Sequence, residues 1–211
     1  MIQQLDENKL REAAHWLAER DKGLALVLET YGYPPLWART ADFSTLVHII
    51  LEQQVSLASA NAAFTRLQAC LLPAVTPEGL LSLADSTLRD IGFSRQKTLY
   101  ARHLAMALTS GHFNLEALST LPDETVRAQL KTLKGIGDWT ADIYLSECLL
   151  RTDILPKGDI AMQEAFRVLN DLPKRPQHDY FEANTQHWRP WRSVGTRMLW
   201  HYYLCRRGKG V

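Results

Sequence analysis

A short run of residues, Leu133–Ala141, has the composition of a tight turn that holds a phosphate. Gly135 and Gly137 flank Ile136 there, and helical patterns lie on both sides. Glycines adopt backbone conformations closed to other residues and let a second chain approach closely. A helix that begins after such a turn presents unpaired N–H groups, which bind anions. The pattern predicts a helix–turn–helix with a phosphate-binding rim, and a purely structural corner between two helices fits the spacing equally well.

An aspartate and several aromatic residues follow the turn. Asp159 lies 20 residues after Trp139, in the Gly- and Pro-containing segment 155–161. It precedes an apolar periodic run, so it is a candidate N-cap for a helix. A helix start also favours the charged form of a carboxylate, which suits an electrostatic role.

Together with the turn and the Asp159 segment, three further segments make a set of five. They are 49–56 (Ile-Ile-Leu-Glu-Gln-Gln-Val-Ser), 92–94 with Lys97, 133–141, 155–161, and 188–193 followed by Trp200. Their order and spacing resemble the helix-hairpin-helix-Gly/Pro-Asp superfamily of DNA glycosylases, and within it the 3-methyladenine DNA glycosylase II (AlkA-type) family. The resemblance extends from about Phe43 to Leu204. A single Gly-Ile-Gly hairpin also occurs in polymerases and ligases, whereas five elements in order are specific.

The resemblance implies that Asp159 is the catalytic carboxylate. Cleavage of an N-glycosidic bond builds positive charge on the deoxyribose, which an ionised carboxylate stabilises while it orients or deprotonates the attacking water. Members that also cut the DNA backbone have a Lys where this chain has Trp139, and Trp cannot form a Schiff base. The resemblance therefore implies a monofunctional enzyme without cofactors. An iron–sulfur cluster is not expected, because Cys205 is the only cysteine of the C-terminal region.

The resemblance also implies contacts to double-stranded DNA. Gly135, Gly137 and Thr140 match positions that contact phosphates beside the flipped nucleotide. Gln54 matches the side chain that fills the duplex where the damaged base leaves the stack, although by its sequence alone it is an ordinary exposed turn residue. Asp138 departs from the family, in which a Pro or a basic residue is common, and an acid there repels phosphate.

Aromatic side chains are expected around the extruded base. Trp139 and Trp200 match pocket positions, although six tryptophans in a helical protein also suit an ordinary core. Alkylation at N3 or N7 leaves a purine cationic, and cations bind to aromatic faces. Ile143 stands where the family has a pocket Tyr, with Tyr144 beside it, which leaves the pocket shape open. Three backbone carbonyls match a structural monovalent cation site, namely those of Lys131, Leu133 and Ile136.

Helical patterns occupy most of the chain. Asp6 predicts a helix to about Leu28, and Asp85 predicts the cap of a short helix. Since no long segment alternates with a period of two, the predicted fold is all-α with about ten helices. We expect two helical lobes, one formed by 1–42 with 151–211 and one by 43–150, with a DNA cleft and Asp159 between them.

Composition and charge exclude several classes of protein. The 211 residues are 46% hydrophobic and 22% charged, without a signal peptide or an apolar run of membrane-spanning length. Three scattered cysteines form no disulfide framework. These features predict a soluble protein of a reducing compartment, the cytoplasm, without a membrane partner. We also expect a monomer. The net charge is +1, but residues 187–211 carry six basic residues and no acidic one, as either a solvated helix or a nucleic-acid-binding face would.

The resemblance therefore implies excision of alkylated purines, of the 3-methyladenine and 7-methylguanine type, from duplex DNA in base excision repair. Two alternatives stay open. A glycosylase of the same fold could act on deaminated or oxidised purines, or the hairpin could belong to a DNA-binding protein without catalytic activity. The presence of Asp159 at the family's spacing favours an enzyme over the second alternative.

Overall fold

The computed structural model describes residues 3–208, and within that range the protein is all-α, as predicted. The only β pairing among these residues is an isolated antiparallel bridge between Gln4 and Arg151. No described helix combines the length and apolarity needed to cross a membrane. The twelve α-helices of the described range are α1 (Glu7–Ala18), α2 (Lys22–Tyr31), α3 (Phe43–Glu52), α4 (Leu57–Cys70), α5 (Pro77–Ser82), α6 (Asp85–Asp90), α7 (Arg95–Thr109), α8 (Asp123–Leu130), α9 (Asp138–Ile143), α10 (Ile160–Leu169), α11 (His178–Asn184) and α12 (Arg192–Arg206).

Side-chain caps explain most helix starts, and one of them explains why a predicted helix is in fact two helices. The expected single helix from Asp6 to Leu28 is wrong, because α1 ends at Ala18. Asp21 then begins α2, since its Oδ1 accepts the N–H of Leu24 at 3.0 Å. A capping carboxylate three residues before a free N–H satisfies that donor and fixes a new helix start.

The short helices of the middle of the chain follow similar rules. Thr76 and Ser94 cap α5 and α7, each accepting the N–H three residues later. The expected cap of α6 is wrong: Ala84 is its N-cap and Asp85 lies in the first turn. Asp85 Oδ1 instead accepts the Nε–H of Arg102 at 2.8 Å, so the carboxylate is engaged by a side chain of α7.

The chain divides into two compact units. The first unit takes the chain up to Ala38 and from Leu145 onward, and the second is Arg39–Tyr144. These boundaries lie four and six residues before those expected from the sequence. The sequence segment 155–161 belongs to the first unit and the hairpin 133–141 to the second.

Each unit has its own apolar core. In the first unit, α1, α2, α10 and α12 pack around a cluster that includes Leu10, Leu17, Met162, Phe166, Trp188 and Met198. In the second unit, α3 packs against α4, α7 and α9, and α8 packs against α9. Its buried side chains include Leu46, Ile49, Ile50, Leu67, Leu104, Leu118 and Leu130.

Candidate functional site

Asp159 is both the N-cap of α10 and a buried carboxylate. Asp159 is only 8% exposed, and its Oδ1 accepts the N–H of Met162 at 2.8 Å. The same oxygen accepts the Nε1–H of Trp200 at 3.1 Å. Because two donors hold the carboxylate, its orientation is fixed by the first unit itself. The cap role and the candidate catalytic role therefore fall on one group.

Trp200 lies beside a second tryptophan that the sequence did not point out. The ring of Trp37 meets that of Trp200 edge to face, with centroids 6.2 Å apart and planes at 67°. Both residues are partly exposed, whereas Trp188 is 1% exposed and lies in the core. Trp37 has a φ of 48°, a left-handed backbone conformation that is rare for a bulky residue.

Arg197, on α12, is fully buried in the first unit. Its Nε–H donates to the carbonyl of Leu36 at 2.8 Å, and its NH2 group donates to the carbonyl of Ser146 at 2.7 Å. The other terminal nitrogen donates to Ser146 Oγ and to the carbonyl of Ser193. Burial lowers the pKa of the Arg197 guanidinium to about 10, against the opposing effect of Glu147. The group is therefore still charged at neutral pH.

The hairpin between α8 and α9 contains two glycines with different requirements. Gly135 has a φ of 88°, and a Cβ at that position would overlap the ring of Tyr100. Gly137 has a φ of −100°, and a Cβ there would meet no atom within 4 Å. Of these two glycines, only Gly135 needs to be glycine for the turn. Gly137 leaves the rim open to an approaching backbone, and no side chain of the described residues caps α9 there.

Gln53 links this hairpin to the loop after α3. Its Nε2 group donates to the carbonyl of Gly135 and to Oγ1 of Thr140, both at 2.9 Å. Thr140 is 2% exposed, so its hydroxyl faces the interior of the second unit. The exposed part of the hairpin that is open to a phosphate is thus the backbone near Gly137. Sequence reasoning passed over Gln53 in favour of its neighbour.

Gln54 is exposed and has a φ of 57°. The carbonyl of Leu51, just before it, accepts a hydrogen bond from Lys97 Nζ at 2.5 Å. Burial lowers the pKa of the Lys97 amine. Val55 and Leu57 are 44% and 52% exposed, so the loop presents apolar surface on one side of the glutamine. The loop is held at its base and projects an outward-facing amide.

The remaining predicted hairpin and pocket residues are less open. Asp138 pairs with Lys131, which neutralises the acid whose charge would oppose phosphate. Trp139 is partly exposed, but Ile143 and Tyr144 are 3% and 0% exposed. The carbonyl of Leu133, one of the three expected at a cation site, accepts the N–H of Ile136 at 3.1 Å. The described residues contain no cluster of three or more His, Cys, Asp or Glu suited to a metal ion.

The basic C-terminal segment matches neither expectation fully. Arg189 and Arg192 both bind Asp153, at 2.7 and 2.6 Å, and Arg197 is buried. Arg206 and Arg207 are exposed. Lys209, the sixth basic residue, lies outside the described residues. Three of the six basic side chains therefore form contacts within the first unit. Fewer of them are available to nucleic acid than the count of basic residues suggests.

Comparison with known families decides the relationship. Residues 47–190 match the family described as HhH-GPD superfamily base excision DNA repair protein. The match covers more than half of the chain and contains Gln54, the hairpin and Asp159. The chain belongs to this superfamily.

Relatives with assigned names agree with the HhH-GPD membership. DNA-3-methyladenine glycosylase 1 of Schizosaccharomyces pombe is 28% identical over 189 residues, covering 87% of this chain and 82% of that protein. The putative DNA-3-methyladenine glycosylase of Bacillus subtilis is 27% identical, covering 84% of this chain and 64% of that protein. The resemblance to 3-methyladenine DNA glycosylases is confirmed.

Solved structures of HhH-GPD proteins agree in fold. The 3-methyladenine DNA glycosylase of Schizosaccharomyces pombe in complex with abasic DNA superposes with a TM-score of 0.82 at 27% identity, over 90% of this chain and 95% of that one. A DNA-3-methyladenine glycosidase from Bacillus halodurans has a TM-score of 0.74 at 26% identity, over 100% of this chain and 95% of that one. The predicted all-α helix-hairpin-helix fold is confirmed.

Proposed function

We propose that the protein is a monofunctional DNA glycosylase that hydrolyses the N-glycosidic bond of alkylated purines in duplex DNA and leaves an abasic site. The observation that carries the proposal is the placement of Asp159. A partly exposed tryptophan and a backbone amide hold this buried carboxylate in one orientation at the start of α10. Relatives named DNA-3-methyladenine glycosylases supply the reaction class.

The reaction that Asp159 supports has two steps. The C1′–N bond breaks, and its electron pair returns to the alkylated purine, which leaves as a neutral base. The deoxyribose is then an oxocarbenium cation, which an adjacent carboxylate stabilises. Water attacks C1′ and loses a proton to the carboxylate or to solvent. Hydrogen bonds from the backbone N–H of Met162 and the indole N–H of Trp200 hold the carboxylate of Asp159 in one orientation for these steps.

Water is the proposed nucleophile because, by the family resemblance, Trp139 matches the position at which members that cut the DNA backbone have a lysine. An indole nitrogen cannot form an imine with the sugar. Damaged duplex incubated with the protein alone is therefore expected to stay intact and to break only after hot alkali. Borohydride trapping of a covalent protein–DNA adduct would contradict this part of the proposal.

Duplex DNA containing damaged bases is the proposed partner. Gly135 and Gly137 shape the hairpin rim, and the exposed backbone at Gly137 suits a phosphate oxygen. The buried hydroxyl of Thr140 and the carbonyl of Gly135 both accept from Gln53 Nε2, which links Thr140 to this rim. Gln54 is proposed to fill the space left by the flipped nucleotide, because its exposed side chain follows α3 on a left-handed backbone. We propose that the protein acts as a monomer.

The proposed substrates are purines whose alkylation leaves a positive charge, such as 3-methyladenine and 7-methylguanine. Aromatic faces attract such cations more strongly than they attract neutral bases. Trp200 lies beside Asp159, and Trp139 stays a predicted pocket residue. Ile143 and Tyr144 stay predicted pocket residues as well, and both are buried.

A monovalent cation at the hairpin carbonyls of Lys131, Leu133 and Ile136 stays a proposal. Carbonyl oxygens are ligands that hard cations accept. The Leu133 carbonyl accepts one N–H and has a second lone pair. DNA affinity measured in sodium, potassium and tetramethylammonium salts at equal ionic strength tests it, and equal affinities in all three would reject it.

The experiment that tests the function is chromatography of free bases released from methylated duplex DNA. We expect 3-methyladenine and 7-methylguanine in the soluble fraction and an equal number of alkali-labile sites in the DNA. Release of hypoxanthine or an oxidised purine from parallel duplexes that carry those lesions, without release of alkylated bases from the methylated DNA, would assign the same chemistry to another lesion. Binding of the duplex without release of any base would reject catalysis.

A further inference from the structure

We infer that Trp37 forms a further wall of the base pocket and determines the preference for cationic purines, and that Arg197 is the positioning residue that holds it there. The inference rests on the proposed function, because it names a specificity element of the same site. Neither residue lies in a segment that the sequence pattern singled out for the pocket.

The backbone of Trp37 is the first observation. A φ of 48° is an outlier for an aromatic residue, and such conformations persist only where the surroundings impose them. The positions that impose them are concentrated at binding and catalytic sites. Trp37 follows Pro34, Pro35 and Leu36, so the local sequence offers no glycine that would adopt this conformation without strain.

Arg197 supplies the constraint. Its Nε–H donates to the carbonyl of Leu36, which belongs to the peptide group that joins Leu36 to Trp37. The remaining guanidinium donors are bound to Ser146 and Ser193, and the side chain is fully buried. A charge is taken out of water only where its donors are satisfied. Here the Nε–H of Arg197 fixes the orientation of the peptide group that precedes Trp37.

The position of the ring is the third observation. Trp37 contacts Trp200 edge to face, and Trp200 donates its indole N–H to Asp159. The carboxylate of Asp159, the ring of Trp200 and the ring of Trp37 therefore form a chain of contacts, with Trp200 in the middle. Both rings are partly exposed, in contrast to the core residue Trp188. Trp37 therefore offers a second π surface next to the ring that donates to the candidate catalytic carboxylate.

The ligand class follows from this chemistry. A purine alkylated at N3 or N7 carries a positive charge until its glycosidic bond breaks, and tryptophan is the side chain whose face attracts cations most strongly. A neutral purine such as hypoxanthine gains only stacking from the same ring. The contribution of Trp37 is expected to appear in the ratio of cationic to neutral base excision.

The test uses single-turnover excision from two duplexes, one with 7-methylguanine and one with hypoxanthine at the same position. Trp37→Leu is expected to lower the rate on 7-methylguanine by about 5- to 30-fold, and the rate on hypoxanthine by less than about 2-fold. Trp37→Phe is expected to retain most of the selectivity. Trp16→Leu is the matched control, because Trp16 is a partly buried tryptophan of α1 that stacks with Arg20.

Arg197 is tested through selectivity rather than through activity alone. Arg197→Lys keeps the charge but loses the planar set of donors, and it is expected to reduce the excision ratio as Trp37→Leu does. The double variant Arg197→Lys/Trp37→Leu is expected to show no further loss of the ratio, since both changes remove one element. Should Arg197→Lys fail to fold, the two Trp37 variants alone decide the role of the ring.

The outcomes separate the inference from the proposed function. If the wild type releases 7-methylguanine and Trp37→Leu leaves the ratio unchanged, the inference is wrong and the glycosylase assignment stands. If Trp37→Leu and Trp16→Leu lower both rates equally, Trp37 is a structural residue and the inference is also wrong. If the wild type releases neither base, the proposed function itself fails.

Discussion

The two units build their candidate functional elements in different ways. In the first unit, the elements are side chains brought together from distant parts of the chain, namely Trp37, Asp159 and Trp200. Arg197 binds the carbonyl of Leu36, just before Trp37. In the second unit, the elements are backbone conformations at Gly135 and Gln54, joined by the side chain of Gln53. Charge stabilisation requires one oriented group, whereas holding a phosphate backbone requires exposed N–H groups and a tight turn.

The difference predicts how each unit responds to mutation. A conservative change at the carboxylate should remove chemistry and leave the fold intact, because the cap is retained. A small change at the hairpin should instead affect folding or DNA binding according to which backbone position it touches.

Asp159→Asn is expected to have the largest effect. The amide oxygen still accepts from Met162 and Trp200, so α10 keeps its cap, but the negative charge is lost. Single-turnover base release should fall by about 100-fold or more, with duplex affinity unchanged. Asp42→Asn, the same change at the cap of α3, is the control. Near-wild-type turnover of Asp159→Asn would show that another group carries the chemistry.

Gly135→Ala is expected to destabilise the second unit. The new methyl group would overlap Tyr100, and the left-handed φ of 88° disfavours any side chain. We expect a loss of roughly 3 kcal/mol in the free energy of unfolding, measured by urea denaturation. The double variant Gly135→Ala/Tyr100→Ala should recover part of that loss. Full stability of Gly135→Ala would mean that the ring moves aside freely.

Gln53→Ala tests whether the hairpin and the Gln54 loop act together. The change removes the hydrogen bonds to Gly135 and Thr140, worth about 1 kcal/mol each. Excision should slow by roughly tenfold, while affinity for undamaged duplex stays close to that of the wild type. Gln68→Ala, at an exposed position of α4, provides the matched control. Equal rates for both variants would make the link dispensable.

Gly137→Ala is expected to fold normally, because its φ of −100° suits alanine and its Cβ would meet no neighbour. The turn itself therefore does not require glycine at this position. A methyl group on the rim should still keep a phosphate away from the N–H groups, weakening affinity by about tenfold on every sequence. Fluorescence anisotropy measures this, and unchanged binding would make the hairpin purely structural.

The smallest effect concerns His48, which stacks on Phe64 in the second unit. Burial lowers the pKa of its imidazole below the ordinary 6.5, against the opposing charge of Glu52, while Arg39 adds to the lowering. As pH falls below about 6.5, the unfolded chain takes up the proton first, so stability should decrease. His48→Gln should show a shallower loss of melting temperature between pH 7.5 and 5.5. Parallel profiles would contradict this assignment.

Local sequence determined the helices and pointed to the hairpin. The caps at Thr76, Ser94 and Asp159 were predictable because each acts on an N–H three residues later. The periodicity of apolar residues likewise predicted an all-α protein, and the five ordered segments predicted the superfamily. Such signals lie within a few residues of one another, so no tertiary information is needed to recognise them.

Tertiary structure alone decided which residues surround those signals. The hydrogen bonds of Asp159 to Trp200, Gln53 to Gly135, and Arg197 to Leu36 span 41, 82 and 161 residues. The strain at Trp37 and the contact between Gly135 and Tyr100 arise equally from packing between distant elements. No periodicity encodes a partner that far along the chain, because such contacts exist only once the helices have packed.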